Sequence, residues 1–255
     1  MSMSFIVFIL GTIVGSFLNV CIYRLPREKS IISLHYFCPS CEGPIGFYDN
    51  IPILSYVLLK SRCRNCNTKI SIRYPTVEFI TALLFLLLYK KTGLNIELLV
   101  LMLFVAVLIV ISLIDFEFKI IPDILSLGGL VIGFMLSFIR PFFGFLDSLY
   151  GILLGGGVLF AIAYLYQLCA KREGLGGGDI KLLGMIGSFI GIKGVLFSLI
   201  SGSLVGTIVG IPLMLIKGQD TKYGIPFGPF LSFGAIVYIF YGNMFIIMLL
   251  NLLRK

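Results

Sequence analysis

The sequence has no tryptophan and is poor in charge. Only 13% of its 255 residues are Asp, Glu, Lys or Arg, about half the ~25% carried by a soluble domain. With 58% of residues apolar, this shortage excludes a soluble globular protein, a disordered chain and a disulfide-rich secreted module. No basic residue precedes Arg24, so the first stretch lacks the charged opening of a cleavable signal peptide. Its apolar run is also too long for one, and it is expected to stay as a first membrane span. A Rossmann glycine fingerprint in strand–turn–helix context is missing too. The net charge of +8 does not point to nucleic acid. The cations sit between apolar runs, where they report membrane topology.

What is present is a series of long runs without charge. Met1–Tyr23, Ser148–Ala170 and Gly194–Ile216 each cover 23 residues, and Tyr223–Leu253 covers 31. A membrane helix needs about 20 apolar residues. The runs are continuously apolar and do not alternate, which disfavours a barrel. The pattern predicts an all-α polytopic membrane protein with about eight transmembrane helices, near 4–23, 76–90, 96–114, 122–139, 146–169, 179–192, 194–216 and 228–250. Between Arg24 and Pro75 lie eight basic residues and three acids, which places this segment in the cytoplasm and the N-terminus outside. With eight spans, fourteen of the twenty Lys and Arg fall on the cytoplasmic side.

The segment of about 50 residues after the first span is marginal for a core of its own. Its cysteines offer a staple. Cys38-Pro-Ser-Cys41 and Cys63-Arg-Asn-Cys66 are two C-x2-C pairs at a spacing close to that of four-thiolate zinc sites. A reducing cytoplasm makes two structural disulfides a poor alternative. Flanking Arg62 and Arg64 would offset the thiolate charge. A closed four-sulfur site is structural, because it leaves no position for water. His35, three residues before Cys38, is read as a loop residue. Cys21 and Cys169 are read as small packing residues within spans.

Acids near spans are candidates for function. Asp115 closes the third span, Asp123 follows Pro122 at the start of the fourth, and Asp179 follows Gly174-Leu175-Gly176-Gly177-Gly178 at the start of the sixth. Asp123 after a proline reads as a helix-start residue. Asp179 could be a cap as well. Four glycines in five residues exceed what a cap needs, and they allow another chain to approach closely. Asp115 and Asp179 together could share a proton and work as acid and base. The positive end of the helix that Asp179 opens favours Asp179 as the base and Asp115 as the acid. The sixth span is short and glycine-rich, which would set Asp179 in a wet recess.

At this point the motifs, in order, resemble a known family. They are Gly15-Ser16-Phe17-Leu18-Asn19-Val20, Arg24-Leu25-Pro26, the two cysteine pairs with Asp49-Asn50-Ile51-Pro52 between them, Arg73-Tyr74-Pro75 and Glu78. Asp115, Ile121-Pro122-Asp123, Gly176-Gly177-Gly178-Asp179 with Lys181-Leu182, and Pro226-Phe227-Gly228-Pro229 follow. The chain resembles the bacterial prepilin peptidases, or type IV leader peptidases, which are membrane aspartic proteases of the G-x-G-D type. The resemblance implies that Asp115 and Asp179 are the catalytic pair, with Gly176, Gly177 and Gly178 as the active-site loop and Asp123 outside the pair. It implies cleavage of the basic leader of type IV prepilins or pseudopilins on the cytoplasmic side of the bacterial inner membrane. The cysteine-bearing loop favours the bifunctional type, which also N-methylates the new terminus from S-adenosylmethionine. Many members carry glycine where this chain has Ser61 before Arg62-Cys63. The methyl-donor site is not placed by spacing.

The expected division is a first helix at 1–23, a cytoplasmic four-cysteine zinc domain at 24–75 and a seven-helix peptidase domain at 76–255. The expected partners are a prepilin N-terminal segment and the lipid bilayer, with no nucleic acid. The rival readings are a small proton-coupled transporter and a zinc-stabilised scaffold without chemistry. Against transport, the candidate acids gather at one membrane face.

Overall fold

Continuous apolar sequence satisfies its backbone hydrogen bonds within helices. The computed structural model describes residues 2–31, 38, 40–41, 43–141, 143–170, 176–217 and 226–253, and among these it is all-helical with no strand ladder. His35, Gly174 and Leu175 lie outside the described residues. The chain divides into two compact units, Met1–Val110 and Ile111–Lys255.

In the first unit, α1 (Met3–Arg24) packs along α3 (Arg73–Thr92). The seam is made by small residues. Gly11 lies against the backbone of Ala82, and a Cβ at Gly15 would stand 2.6 Å from the Cα of Glu78. Cys21 is buried on this helix, as expected of a packing residue. Asn19 is buried in the same seam and donates through Nδ2 to the carbonyl oxygen of Tyr74 at 3.1 Å. Between the two helices, the segment after α1 holds the short helix α2 (Leu54–Leu58) and the cysteine pairs. The first part of α4 (Ile96–Phe118) completes the unit.

The second unit takes the end of α4, then α5 (Asp123–Ser137) and α6 (Phe145–Ile152). A π turn over Leu153–Val158 follows, and then α7 (Leu159–Ala170), α8 (Gly177–Lys217) and α9 (Gly228–Leu253). α5, α6, the π turn and α9 all pack on α8. Gly151 meets the backbone of Gly187 so closely that no Cβ fits at either position. Such close approach is what small residues provide between membrane helices. α8 is broken at Gly191, whose φ of 68° and ψ of −172° are not helical. Only glycine takes that conformation without strain. The expected segments 179–192 and 194–216 are therefore two arms joined at this glycine.

Among the described residues, four helices are long and apolar enough to cross a membrane: Met3–Arg27, Ile96–Phe118, Phe145–Leu168 and Gly177–Gly210. Asp123–Ser137 and Gly228–Gly242 are shorter apolar helices.

Arg140 lies in the loop after α5, as the sequence places it, but it is not a solvated charge. It is buried, donates from Nη1 to the carbonyl oxygen of Phe189 at 2.6 Å, and lies 4.2 Å over the ring of Phe143. It thereby covers a carbonyl at the end of the first arm of α8, where a cation complements the helix dipole.

Candidate active site and thiol centre

α4 runs on to Phe118, so Asp115 lies in its last helical turn with its side chain enclosed, 6% exposed. A buried carboxylate needs donors. The backbone N–H of Gly228, at the start of α9, supplies one to Oδ2 at 2.9 Å. A Cβ at position 228 would stand 2.7 Å from that same oxygen, so a side chain there would displace the carboxylate it serves. Asp179 stands in the first turn of α8, where its N–H reaches the carbonyl of Gly176 at 3.1 Å. Its side chain is half-buried.

Ile121 brings the two ends together. A Cβ on Gly178 would meet its Cβ at 3.0 Å, and a Cβ on Gly228 would meet its Cδ1 at 3.4 Å. The Ile121 side chain thus fills the space between the glycine turn before Asp179 and the glycine that holds Asp115. Gly176 and Gly177 are exposed and Gly178 is half-buried. Asp123 opens α5 as expected of a helix-start residue, directly after the cap position at Pro122. Its Oδ1 receives Lys181 Nζ at 2.7 Å. Lys181, which the sequence suggests only as a topology charge, ties the start of α5 to the first turn of α8.

The four-cysteine cluster lies within the first unit. Cys38, Cys41, Cys63 and Cys66 place their sulfurs within 4.8 Å of one another. Cys38 Sγ and Cys66 Sγ are 3.8 Å apart, and tetrahedral Zn–S bonds of ~2.3 Å set sulfurs about 3.8 Å apart. All four are free thiols and not disulfides. The second pair sits on a tight hairpin, with Cys63 N–H to Thr68 O at 2.9 Å and a bridge between Arg62 and Lys69. The Thr68 hydroxyl and backbone N–H pull the Cys66 thiol down to about 6. The Gly43 N–H acts in the lowering sense on Cys41, but the neighbouring thiols of Cys66 and Cys38 drive it up to about 11. Four sulfurs this close resist ionising together unless a dication offsets them. The donor set therefore fits a tetrahedral thiophilic ion such as zinc. The expectation that Arg64 offsets thiolate charge is corrected by its partner. Arg64 grips Asp49, Nε to Oδ2 at 2.8 Å and Nη2 to Oδ1 at 2.7 Å, and holds that carboxyl below its ordinary range.

Three contributors were not assigned a role from sequence. Gly228 and Ile121 lay inside motifs, but a backbone donor and an apolar wedge have no side-chain signature. Glu78 accepts the N–H of Ile53 at 2.7 Å, a contact that only the fold creates.

Together these features describe a helical, strongly apolar protein with two candidate acids, Asp115 and Asp179, near helix ends in the second unit and a four-thiol cluster in the first. Comparison with known proteins makes the class specific. Residues 9–92 match the bacterial peptidase A24 N-terminal domain, and residues 102–211 match the type IV leader peptidase family. The chain belongs to the type IV leader peptidase family. It is 32% identical to a prepilin leader peptidase/N-methyltransferase of Pseudomonas putida, over 92% of this chain and 89% of that protein. It is 33% identical to the one of Aeromonas hydrophila, over 93% and 90%. It is 37% identical to the one of Myxococcus xanthus (strain DK1622), over 83% of this chain but only 63% of that longer protein. No solved structure matches.

Proposed function

We propose that the protein is a membrane aspartic endopeptidase. It removes the leader of type IV prepilins or pseudopilins and then N-methylates the new terminus with S-adenosylmethionine as methyl donor. The relatives' name supports both activities. The observation that carries the peptidase half is the placement of buried Asp115, oriented by the Gly228 amide, across Ile121 from the glycine turn that leads into Asp179.

In the reaction, water lies between the two carboxylates. One takes a proton as the water oxygen attacks the scissile carbonyl. The other donates a proton to the carbonyl oxygen, giving a neutral tetrahedral diol. The diol then collapses, the C–N bond breaks, and the amine leaves with a proton returned by the dyad. Gly228 N–H keeps Asp115 from rotating out of reach. Exposed Gly176 and Gly177 leave room for an extended substrate backbone next to Asp179.

The remaining architecture follows the sequence reading. It comprises eight membrane crossings, an outside N-terminus, and a cytoplasmic face carrying the active site and residues 24–75. The domains run 1–23, 24–75 and 76–255. Cys38, Cys41, Cys63 and Cys66 would hold one zinc ion, whose contribution is to fold the loop.

The test is cleavage of a prepilin N-terminal segment by reconstituted protein. Asp115→Asn and Asp179→Asn should each abolish cleavage while the helical circular dichroism is unchanged. Full cleavage by either variant would sink the assignment. Mass spectrometry of the product should show one added methyl group when S-adenosylmethionine is supplied.

A further inference from the structure

Residues 50–59 form a ten-residue run without charge outside the long helices. A run of this length is short for a span and suits a buried core helix or an interfacial segment. The structure excludes the buried case. Leu54, Val57 and Leu58, at i, i+3 and i+4 of α2, are 51%, 65% and 71% exposed. They share one face of the helix. Ser55 on the other face is buried, and its hydroxyl donates to the carbonyl of Tyr48 at 3.0 Å. α2 therefore turns its apolar side outward.

Its location says what meets that side. The N–H of Ile53, immediately before α2, donates to Oε2 of Glu78 at 2.7 Å. Glu78 lies five residues into α3, roughly 8 Å along the axis from its start. It packs on Gly15 of α1, in a helix apolar enough to cross a membrane. Ile53 holds φ at 59°, a strained value for a β-branched residue that persists only when its surroundings enforce it. The run is thus fastened to the first part of α3, which packs along α1, a helix long and apolar enough to cross a membrane. Exposed Lys60, Arg62 and Lys69 follow it on the thiol hairpin. An outward apolar face beside cations has the chemistry of an amphipathic element lying in the headgroup region of an anionic leaflet.

We propose that α2 docks on the bilayer surface, with Leu54, Val57 and Leu58 in the headgroup–acyl boundary and the hairpin cations against anionic lipid. The four-thiol centre is thereby held at the membrane plane. The proposal rests on α1 and α3 being membrane-crossing helices.

The absence of tryptophan makes the test clean, because one introduced indole is the only one. Full-length Leu58→Trp is reconstituted in phosphatidylcholine vesicles, with or without phosphatidylglycerol, whose acyl chains are brominated near the headgroup end. Val57→Trp serves as a second reporter, and Leu103→Trp on α4 marks the bilayer interior. The expected result is strong bromolipid quenching and weak acrylamide quenching at 57 and 58. Phosphatidylglycerol should enhance it, and Lys60→Glu with Lys69→Glu should remove that enhancement. Quenching at 103 with none at 57 or 58 overturns the docking while leaving the membrane reading intact. No quenching at any of the three overturns both. Shielding from acrylamide that depends on protein-to-lipid ratio, without bromolipid quenching, assigns the face to a second copy and overturns the proposal.

Discussion

Gly228 and Asp115 are joined by a 2.9 Å hydrogen bond from a backbone N–H to a carboxylate oxygen, across 113 residues of sequence. The same pair is nearly in steric conflict, since a Cβ at 228 would stand 2.7 Å from Oδ2. Gly228→Ala should therefore turn Asp115 away and lose the bond. A hydrogen bond to a charged group contributes about 1.5–3 kcal/mol, which corresponds to a ~10- to 150-fold fall in kcat. Cleavage kinetics with an unchanged melting profile would show that the loss lies in the site.

How far the sequence foretold this site depends on what carries each part. Asp115, Asp179 and the cysteine pairs were legible because acids at span edges and C-x2-C pairs are conspicuous against apolar sequence. The helices were legible from their charge-free runs. The Gly191 break was not, since a glycine inside a glycine-rich segment does not announce a φ of 68°. Nor were the partners of Arg140, Arg64 and Lys181. Charge in a loop indicates topology, but whether it stays in water or meets Phe189, Asp49 or Asp123 is settled by tertiary packing.

Arg140 is the clearest example, and it should bear on stability. Its guanidinium is buried against the Phe189 carbonyl and the Phe143 ring. Arg140→Leu leaves that carbonyl without this donor, at a cost of about 1–3 kcal/mol. Arg140→Lys should recover little, because a point charge does not reproduce the planar fork. Thermal unfolding in detergent should show both variants below wild type, with Lys193→Ala, at an exposed position, close to it.

The ion pair between Lys181 and Asp123 is solvent-exposed, with side chains 37% and 60% accessible. Such pairs contribute little to stability, about 0–1 kcal/mol. Its place two residues beyond Asp179 gives it a different use. Lys181→Asp sets two carboxylates face to face at the start of α8 and should slow cleavage. Lys181→Asp combined with Asp123→Lys should restore it. Added salt should shrink the single-variant defect, since exposed charges are screened.

The thiol centre predicts a metal-dependent fold. Elemental analysis of purified protein should find about one zinc per chain. Cys63→Ser together with Cys66→Ser should remove it, and a strong chelator should lower the unfolding temperature of wild type but not of the double variant. Retained zinc in the double variant would show that the ion is held elsewhere.

Ser61 immediately precedes the Arg62-Cys63 dipeptide, at a position where many members of the family carry glycine. Its φ is 56°, and Lys60 before it is at 49°. A non-glycine residue in the left-handed region costs roughly 1–2 kcal/mol. Glycine relieves that strain but adds about 0.5–1 kcal/mol of unfolded-state entropy. Ser61→Gly should therefore stabilise the hairpin by a net of up to about 1.5 kcal/mol. The effect belongs to the thiol segment and not to the carboxylate centre. Zinc release by chelator should slow in Ser61→Gly while kcat for leader cleavage stays at the wild-type value. If zinc leaves the variant faster, the left-handed turn is not what strains this hairpin.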